Sequence, residues 1–306
     1  MSMPDPEGAT NHRDTDLEGL LASLAGSFSG RVGIYARDLL TGRCVELHPD
    51  EPFETASTIK VLILVTAFAE ARRGTLSLDE RLTLKQGHHV RGSGVLSDLT
   101  PGLELTIHDT LTLMVSVSDN VATNMMIERL GVDQIEACGR TLGLSETHLF
   151  GPLHFDREPV RGVGVTTPRE LANLFERIAR HEAVGEPEDA KMLDILDRNQ
   201  YGSALTRELP YEPLEEPGPG TPAAIQIASK SGSWDGVRNI VGYVRGKETR
   251  YVVCLLTKGC TDPRFHVDNE AMLLLPKLSR AIFDRFSGLG AERASHMAEE
   301  QREGDA

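Results

Sequence analysis

The chain has 306 residues, 40% of them hydrophobic and 25% charged, a composition typical of a soluble globular protein with a sizeable core. Its net charge of −14 argues against nucleic acid and against an anionic membrane as partners, because both attract lysine and arginine. The four cysteines form no CxxC pair and the ten histidines are scattered, so we predict neither a metal site nor a cofactor.

The two ends of the chain are polar and show no structural pattern. We predict a disordered N-terminal segment at residues 1–15 and a disordered tail at 288–306, because neither can bury much apolar surface. The N-terminus has no basic segment followed by an apolar stretch, and no run of about 20 apolar residues occurs. We therefore expect a cytoplasmic location for the chain as it stands, or a secreted or periplasmic one if an export signal was removed.

Helix and strand patterns alternate in the first part of the chain. The segment TDLEGLLASLAG predicts an amphipathic helix that begins near Thr15 or Asp16 and ends before Gly26. Residues 30–49 predict two short strands joined by a turn at LTGR. From Ser57 onward, STIKVLILVTAFAEARRG is apolar on most faces for about three turns and closes with Arg72, Arg73 and Gly74, which predicts a buried helix.

The middle of the chain is mostly helical. TIHDTLTLMVSVS opens with a capping pattern at Thr106 and Asp109, and NVATNMMIERLG follows with Gly131 as its stop. TTPRELANLFERIAR begins a helix with Thr167 as its cap and Pro168 in its first turn. MLDILDRN and SALTRELP predict further helix.

Three strand-like runs and a helix close the sequence. AIQIASKSG, VRNIVGYVRG and RYVVCLLTKG are β-branched and separated by short turns, which favours antiparallel pairing, and EAMLLLPKLSRAIFDRF predicts the last helix. We therefore predict an α/β protein of the α+β type, with a sheet assembled from both ends of the chain. One catalytic domain is expected over residues 16–287, with a helical lobe at roughly 60–225.

The first of three short motifs is Ser57-Thr58-Ile59-Lys60. A spacing of three puts Ser57 and Lys60 on one face of a helix, one turn apart. A helix start favours developing negative charge, and burial lowers the pKa of a lysine toward that of a useful base. Alone the motif is weak, because a capping serine and a lysine that reaches solvent give the same spacing.

The second motif is Ser118-Asp119-Asn120, between two helical segments. A hydroxyl and an amide that project from a turn can relay a proton and bind a substrate amide. These residue types also cap helices, and the tripeptide by itself favours that interpretation.

The third motif is Lys230-Ser231-Gly232-Ser233, toward the end of a strand. A lysine, a hydroxyl and a glycine on an edge strand let a substrate backbone or carboxylate approach closely. A polar strand end before a turn is the alternative.

The three motifs occur in the order found in the penicillin-recognising serine enzymes. With SVSDNVATNMMIERLG, TTPRELANLFERI and SKSGSWDGVRNIVGYV, the chain resembles a class A β-lactamase over roughly residues 17–287. The resemblance implies an antiparallel five-stranded sheet flanked by helices, an all-helical lobe and an active site between them.

The resemblance also implies the residues of the acylation step. Ser57 is expected to be the nucleophile and Lys60 its activating partner. Ser118 is expected to pass a proton to the leaving nitrogen. The backbone N–H groups of Ser57 and Ser233 are expected to form the oxyanion hole.

The same resemblance implies how a substrate is held. Asn120 is expected to bind the amide of the substrate side chain, and Lys230 and Ser231 its carboxylate, beside Gly232. Ser231 stands where a threonine is usual and keeps the hydroxyl. Arg238, eight residues after Lys230, either joins them on the carboxylate or is an ordinary arginine at the strand surface.

The segment FDREPVRGVGVTTP holds Glu158, which the resemblance suggests as the base for deacylation. Pro159 follows it as in the family, but the leucine-asparagine pair of the family loop is missing, and seven residues separate Glu158 from Thr166. The alternative is a charge on a solvated loop. Trp234 replaces a small residue of the family, so we expect a narrower mouth to the site.

Together these features predict a serine hydrolase that forms an acyl-enzyme on Ser57 and hydrolyses β-lactams, with weak deacylation. A cytosolic esterase or D-alanyl amidase of unknown substrate, and a β-lactam-binding protein that stays acylated, remain open. The expected partner is a small-molecule substrate, with no nucleic acid and no membrane, and a monomer is favoured.

Overall fold

The structure is a computed structural model that describes residues 12–155, 162–210, 214 and 223–287. Glu158 and Pro159 lie outside the described residues, as do most of the N-terminal segment and the whole of the C-terminal tail named above. No helix of the described ranges is long and apolar enough to cross a membrane.

Helices and strands alternate along the chain. The helices of the described residues are α1 (Thr15–Ala25), α2 (Lys60–Arg73), α3 (Ile107–Ser116), α4 (Asn120–Leu130), α5 (Val132–Thr141), α6 (Pro168–Ala179), α7 (Glu186–Leu196), α8 (Ser203–Thr206) and α9 (Glu270–Phe286). The strands are β1 (His12–Arg13), β2 (Arg31–Asp38), β3 (Arg43–Leu47), β4 (Phe53–Glu54), β5 (Arg81–Thr83), β6 (Glu104–Thr106), β7 (His148–Leu149), β8 (Gly164–Thr166), β9 (Ile225–Trp234), β10 (Val237–Gly246) and β11 (Arg250–Lys258).

The main sheet is built from both ends of the chain, in the order β1-β3-β2-β11-β10-β9. The five strands from β3 to β9 pair antiparallel, as predicted. The two-residue strand β1 is an addition that the sequence does not predict: His12 pairs in parallel with Arg43 at the far edge. The opposite edge strand is β9, which carries the third motif.

Both faces of this sheet are buried, so its strands read as nearly continuous apolar runs. Neighbouring residues such as Ile34 and Tyr35 point into two different cores, because side chains alternate along a strand. One core lies under α1, α8 and α9, and the other lies under α6 and the helical lobe.

Helix α2 runs through the middle of the helical lobe, in contact with α3, α4, α5 and α7. Every residue from Lys60 to Phe68 is buried, which explains why the sequence is apolar on most faces there. The helix ends at Gly74, whose φ of 76° is left-handed, in agreement with the predicted stop.

The predicted helix boundaries agree with the structure in three helices. Thr106 accepts a hydrogen bond from Asp109 N, and Thr167 accepts one from Glu170 N, as predicted for α3 and α6. Helix α1 begins at Thr15 and ends before Gly26, as predicted, and its cap is Asp14, whose side chain accepts from Leu17 N.

Candidate active site

Ser57 lies in a single 3₁₀ turn, Ala56–Ile59, between β4 and α2. The predicted helix therefore begins three residues later than expected, at Lys60, and Ser57 stands just before it. Ala56 has a φ of 44°, a left-handed value that a residue with a Cβ rarely adopts, so the turn holds local strain. Ser57 is half-buried and faces a cleft.

Lys60 is completely buried, one turn after Ser57. Its Nζ donates hydrogen bonds to the backbone oxygen of Ser118 at 2.7 Å, to Ser118 Oγ at 3.2 Å and to Asn120 Oδ1 at 2.8 Å. Burial, and then the nearby charge of Lys230, hold the pKa of Lys60 well below its usual value, while Asp119 opposes them. Lys60 is therefore suited to accept a proton.

Lys230, on β9, forms a hydrogen bond with the same hydroxyl. It is also completely buried, and its Nζ donates to Ser118 Oγ at 3.1 Å and to the backbone oxygen of Ser231 at 2.8 Å. Burial lowers its pKa to about 7. The hydroxyl of Ser118 thus lies within hydrogen-bond distance of two buried amines.

Ser118 occupies a left-handed turn between α3 and α4, with a φ of 54°. Asp119 follows as the cap of α4, and its carboxylate also accepts from Val95 N at 2.6 Å and Leu96 N at 2.9 Å. These bonds fix the turn against the loop before α3, because a capping carboxylate satisfies free backbone donors. Asp119 therefore acts as a structural anchor for its two neighbours.

Both the oxygen and the nitrogen of the Asn120 side-chain amide form hydrogen bonds. Its Oδ1 accepts from Lys60, and its Nδ2 donates to the backbone oxygen of Arg91 at 3.1 Å. An amide has two N–H donors, so one remains for a substrate. The predicted contact with a substrate amide stays a prediction.

The edge strand β9 passes directly beside the serine turn at Gly232. A Cβ at this position would lie 2.9 Å from Ser57 N and 2.8 Å from the backbone oxygen of Thr55, so a larger residue does not fit. This close approach brings β9 and the backbone of Ser57 to one wall of the cleft. The neighbouring Ser231 and Ser233 line the same cleft.

Arg238 lies opposite Ser233 on β10 and is 4% exposed. Its guanidinium donates to the backbone oxygens of Trp234, Val237 and Arg264 at 2.6 to 2.7 Å and lies 4.3 Å from the ring centre of Phe265. Among the residues that the structure describes, no carboxylate forms an ion pair with it. The alternative of an ordinary arginine at the strand surface is wrong, because Arg238 is buried and holds three backbone oxygens. Its contact with a substrate carboxylate stays a prediction.

Asn239 is a site residue that the motifs did not reveal. It is 2% exposed and lies opposite Gly232, and its Nδ2 donates to the backbone oxygens of Glu54 at 2.7 Å and Thr55 at 3.3 Å. Its Oδ1 accepts from Thr257 N at 2.9 Å. Asn239 therefore ties the segment before Ser57 to two strands. A polar residue inside the apolar run VRNIVGYV was the available signal, because buried amides need partners.

The described residues on both sides of the segment that carries Glu158 lie near the site. Before it, the ring of Phe155 packs against that of Trp234 with centroids 4.8 Å apart. After it, the backbone oxygen of Gly164 accepts from Thr55 N at 2.9 Å, two residues before Ser57. This ring contact does not test whether Trp234 narrows the mouth of the active site, so that point stays a prediction.

The cleft has a volume of about 550 Å³. Six of the predicted site residues line it: Ser57, Ser118, Ser231, Gly232, Ser233 and Arg238. The other lining residues, half of them apolar, are Ser93, Gln200, Tyr201, Ser203, Ala204, Asn239, Phe265, His266, Val267 and Met272.

The sequence model of the β-lactamase enzyme family matches residues 16–286, nearly the whole described chain. The chain belongs to this family. The predicted resemblance, the fold and the class of enzyme, a serine β-lactamase-like hydrolase, are thereby confirmed. The roles of single residues are not tested by family membership and stay predictions.

Relatives and solved structures agree with the family. The β-lactamase ROB-1 of Haemophilus influenzae is 28% identical over 74% of this chain and 70% of its own, and a β-lactamase of Bacillus licheniformis is 24% identical over 77% and 74%. A β-lactamase structure from Sphaerobacter thermophilus is 25% identical with a TM-score of 0.79, over 90% of this chain and 98% of its own. The structure of PBP-A is 28% identical with a TM-score of 0.79, over 94% and 100%.

Proposed function

We propose that this member of the β-lactamase family hydrolyses β-lactams through an acyl-enzyme on Ser57. The observation that carries the proposal is the hydroxyl of Ser118, bonded by the buried amines of both Lys60 and Lys230. Two amines with lowered pKa values beside a cleft serine supply a base and a proton path at neutral pH.

The acylation step follows from this arrangement. The neutral amine of Lys60 takes the proton of the Ser57 hydroxyl as Oγ attacks the lactam carbonyl carbon. The new Oγ–C bond forms, the C–N bond breaks, and the lactam nitrogen takes the proton of Ser118. The proton held by Lys60 then returns to Ser118 Oγ, which lies 3.2 Å away, so the chain of transfers balances.

Backbone and side-chain groups of the cleft account for binding. The N–H groups of Ser57 and Ser233 stabilise the oxyanion, an effect worth roughly 3 kcal/mol for one donor. Lys230, Ser231 and Arg238 bind the substrate carboxylate. The position of Arg238 in the cleft supports this assignment, because a buried guanidinium that forms no ion pair with a described residue favours an anionic partner.

Hydrolysis requires a water to attack the acyl ester, and we assign Glu158 as the base for that water. The support is positional: the flank before it packs on Trp234 and the flank after it binds Thr55. The loop lacks an amide to share the water, so deacylation is proposed to be slow.

Related proteins support both parts of the proposal, acylation and hydrolysis. A variant of PBP-A, 28% identical with a TM-score of 0.78 over 91% of this chain and 98% of its own, has been described as an acyl-enzyme complex with penicillin G. The β-lactamases of Haemophilus influenzae and Bacillus licheniformis bear the name of the hydrolytic activity.

The test is whole-protein mass measured over time after mixing with benzylpenicillin. We expect an adduct of one penicillin that forms and then decays as hydrolysed penicillin accumulates. Ser57→Ala should give no adduct, whereas Ser93→Ala, which changes another serine of the same cleft, should behave as the parent. A persistent adduct would mean that the protein binds penicillin stably and does not hydrolyse it. An adduct on Ser57→Ala would overturn the assignment of the nucleophile.

A further inference from the structure

Three large apolar side chains are exposed in the cleft that holds Ser57. Tyr201, Phe265 and Val267 are 49%, 65% and 58% exposed. Single exposed apolar residues are common on proteins, but a group that lines one cavity marks a binding surface.

The three residues come from two segments that are each fixed by hydrogen bonds. Tyr201 N donates to Asn199 Oδ1 at 3.2 Å, and Asn199 Nδ2 donates to Ser229 Oγ at 3.0 Å on β9. The segment of Val267 is fixed separately, since its backbone oxygen accepts from Arg207 at 2.8 Å. An apolar surface held in place in this way binds a ligand at a lower entropic cost.

The neighbouring segment of Phe265 is fixed through the site itself. The backbone oxygen of Arg264 accepts from the guanidinium of Arg238 at 2.7 Å, and the ring of Phe265 covers that guanidinium. The apolar group is thus continuous with the residues assigned to the substrate carboxylate.

The position of the group identifies which part of a substrate it meets. Phe265 covers the guanidinium of Arg238, which is assigned to the substrate carboxylate. In a penicillin or a cephalosporin that carboxylate is on the carbon bonded to the lactam nitrogen, the leaving atom of the proposed reaction. An apolar group continuous with Arg238 therefore lies on the leaving-group side of the bond that breaks.

We propose that Tyr201, Phe265 and Val267 form a subsite for an aromatic substituent on the leaving-group side of the substrate. The inference rests on the proposed function and adds the substrate class: lactams with an aryl group attached to the ring that contains the leaving nitrogen. In a cephalosporin this is the substituent on carbon 3 of the six-membered ring.

Two cephalosporins isolate this position. Nitrocefin and cephalothin carry the same thienylacetyl side chain, but nitrocefin has a dinitrostyryl group on carbon 3 where cephalothin has acetoxymethyl. The test compares the kcat/KM ratio of nitrocefin to cephalothin in the parent and in the double variant Tyr201→Ser/Val267→Ser. Phe265 is left unchanged because its ring also contacts Arg238.

We expect the ratio to fall about tenfold in the double variant, which corresponds to about 1.4 kcal/mol. The fall should come from a lower kcat/KM for nitrocefin, while kcat/KM for cephalothin should change less than about twofold. The matched control is Leu20→Ser/Leu40→Ser, which changes two leucines exposed by 49% and 54% outside the cleft and should leave the ratio unchanged. Should the double variant fail to fold, Tyr201→Ala alone must lower the ratio at least about threefold.

The other outcomes are distinct. An unchanged ratio, or an equal loss on both substrates, overturns the subsite while the proposed function stands. If neither cephalosporin acylates Ser57 in the parent, the proposed function fails and the subsite fails with it.

Discussion

Lys60 and Lys230 are both completely buried and donate hydrogen bonds to one oxygen, the hydroxyl of Ser118, at 3.2 and 3.1 Å. Two ammonium groups so close together and so far from water cannot both keep their charge at little cost. Burial lowers the pKa of both lysines, and the charge of Lys230 lowers that of Lys60 further, so the pH dependence of the protein should reveal the shifts.

The first prediction concerns acylation between pH 5 and 9. Lys230 has a pKa of about 7, so it is charged below that pH and neutral above it. We expect kcat/KM for benzylpenicillin to fall above pH 7, because the carboxylate loses its partner, while a neutral ester such as p-nitrophenyl acetate shows no fall. Lys230→Arg, which stays charged, should remove the fall. A fall of equal size for both substrates would contradict this role.

The second prediction concerns stability, from the same shift. Between pH 7 and about 10 the unfolded lysine still binds a proton that the folded one has released, so the free energy of unfolding gains a term that rises with pH. Replacement by methionine removes this term. Relative to the parent, Lys230→Met should therefore be most stable near pH 6 and lose that advantage by pH 9, measured by urea unfolding. A difference that does not vary with pH would mean that Lys230 is not titrating.

The third prediction concerns Arg238, which has two tasks. Arg238→Ala should raise KM for penicillins and spare p-nitrophenyl acetate, since only the penicillin carries a carboxylate. It should also lower the Tm, because three backbone oxygens lose a charged donor. Arg238→Lys keeps the positive charge but lacks the several N–H donors of the guanidinium. Its KM should therefore lie between those of the parent and Arg238→Ala, while its Tm should stay close to that of Arg238→Ala. Equal losses on both substrates would make the arginine purely structural.

The fourth prediction concerns Asn239 as a positioning residue. Asn239→Ala removes the hydrogen bonds of the side-chain amide to the backbone oxygens of Glu54 and Thr55 and to the N–H of Thr257, a loss on the order of 1–3 kcal/mol of stability. Because the first two precede Ser57, we expect the acylation rate constant to fall at least tenfold with little change in the dissociation constant of the penicillin. Rapid-mixing kinetics separate the two, and an unchanged rate constant in a folded variant would make Asn239 structural only.

The sequence was sufficient where a local pattern decides the structure. Thr167 and Pro168 begin α6 as predicted, because a cap and a first-turn proline act within four residues. The motifs also pointed to Ser57, Ser118 and Lys230, since their spacing and order are read directly from the chain, and the chemical roles of these residues stay predictions.

The sequence alone could not predict contacts between distant segments. The bond of Asn239 to Glu54 spans 185 residues, and the packing of Phe155 on Trp234 joins a loop to the end of β9. The apolar subsite likewise arises only when the segments of Tyr201 and Phe265 meet at one cleft. The strained φ of Ala56 also follows from the surrounding fold and not from its own residue type.

The fifth prediction concerns Glu158. A carboxylate that takes a proton from the attacking water commonly contributes 10²–10⁴-fold, so even a poorly supported one should matter. Glu158→Gln should be acylated by benzylpenicillin at nearly the parent rate, and its Ser57 adduct should decay at least about tenfold more slowly, followed by whole-protein mass.

The matched control for this prediction is Glu54→Gln, an exposed carboxylate on the strand that pairs with the far flank of the Glu158 segment. Its turnover should equal that of the parent, because its side chain is not assigned to the water. If Glu158→Gln deacylates as fast as the parent, Glu158 is a charge on a loop. If Glu54→Gln accumulates the adduct instead, the base is Glu54, and the shortened loop has passed the task to the other carboxylate beside the serine turn.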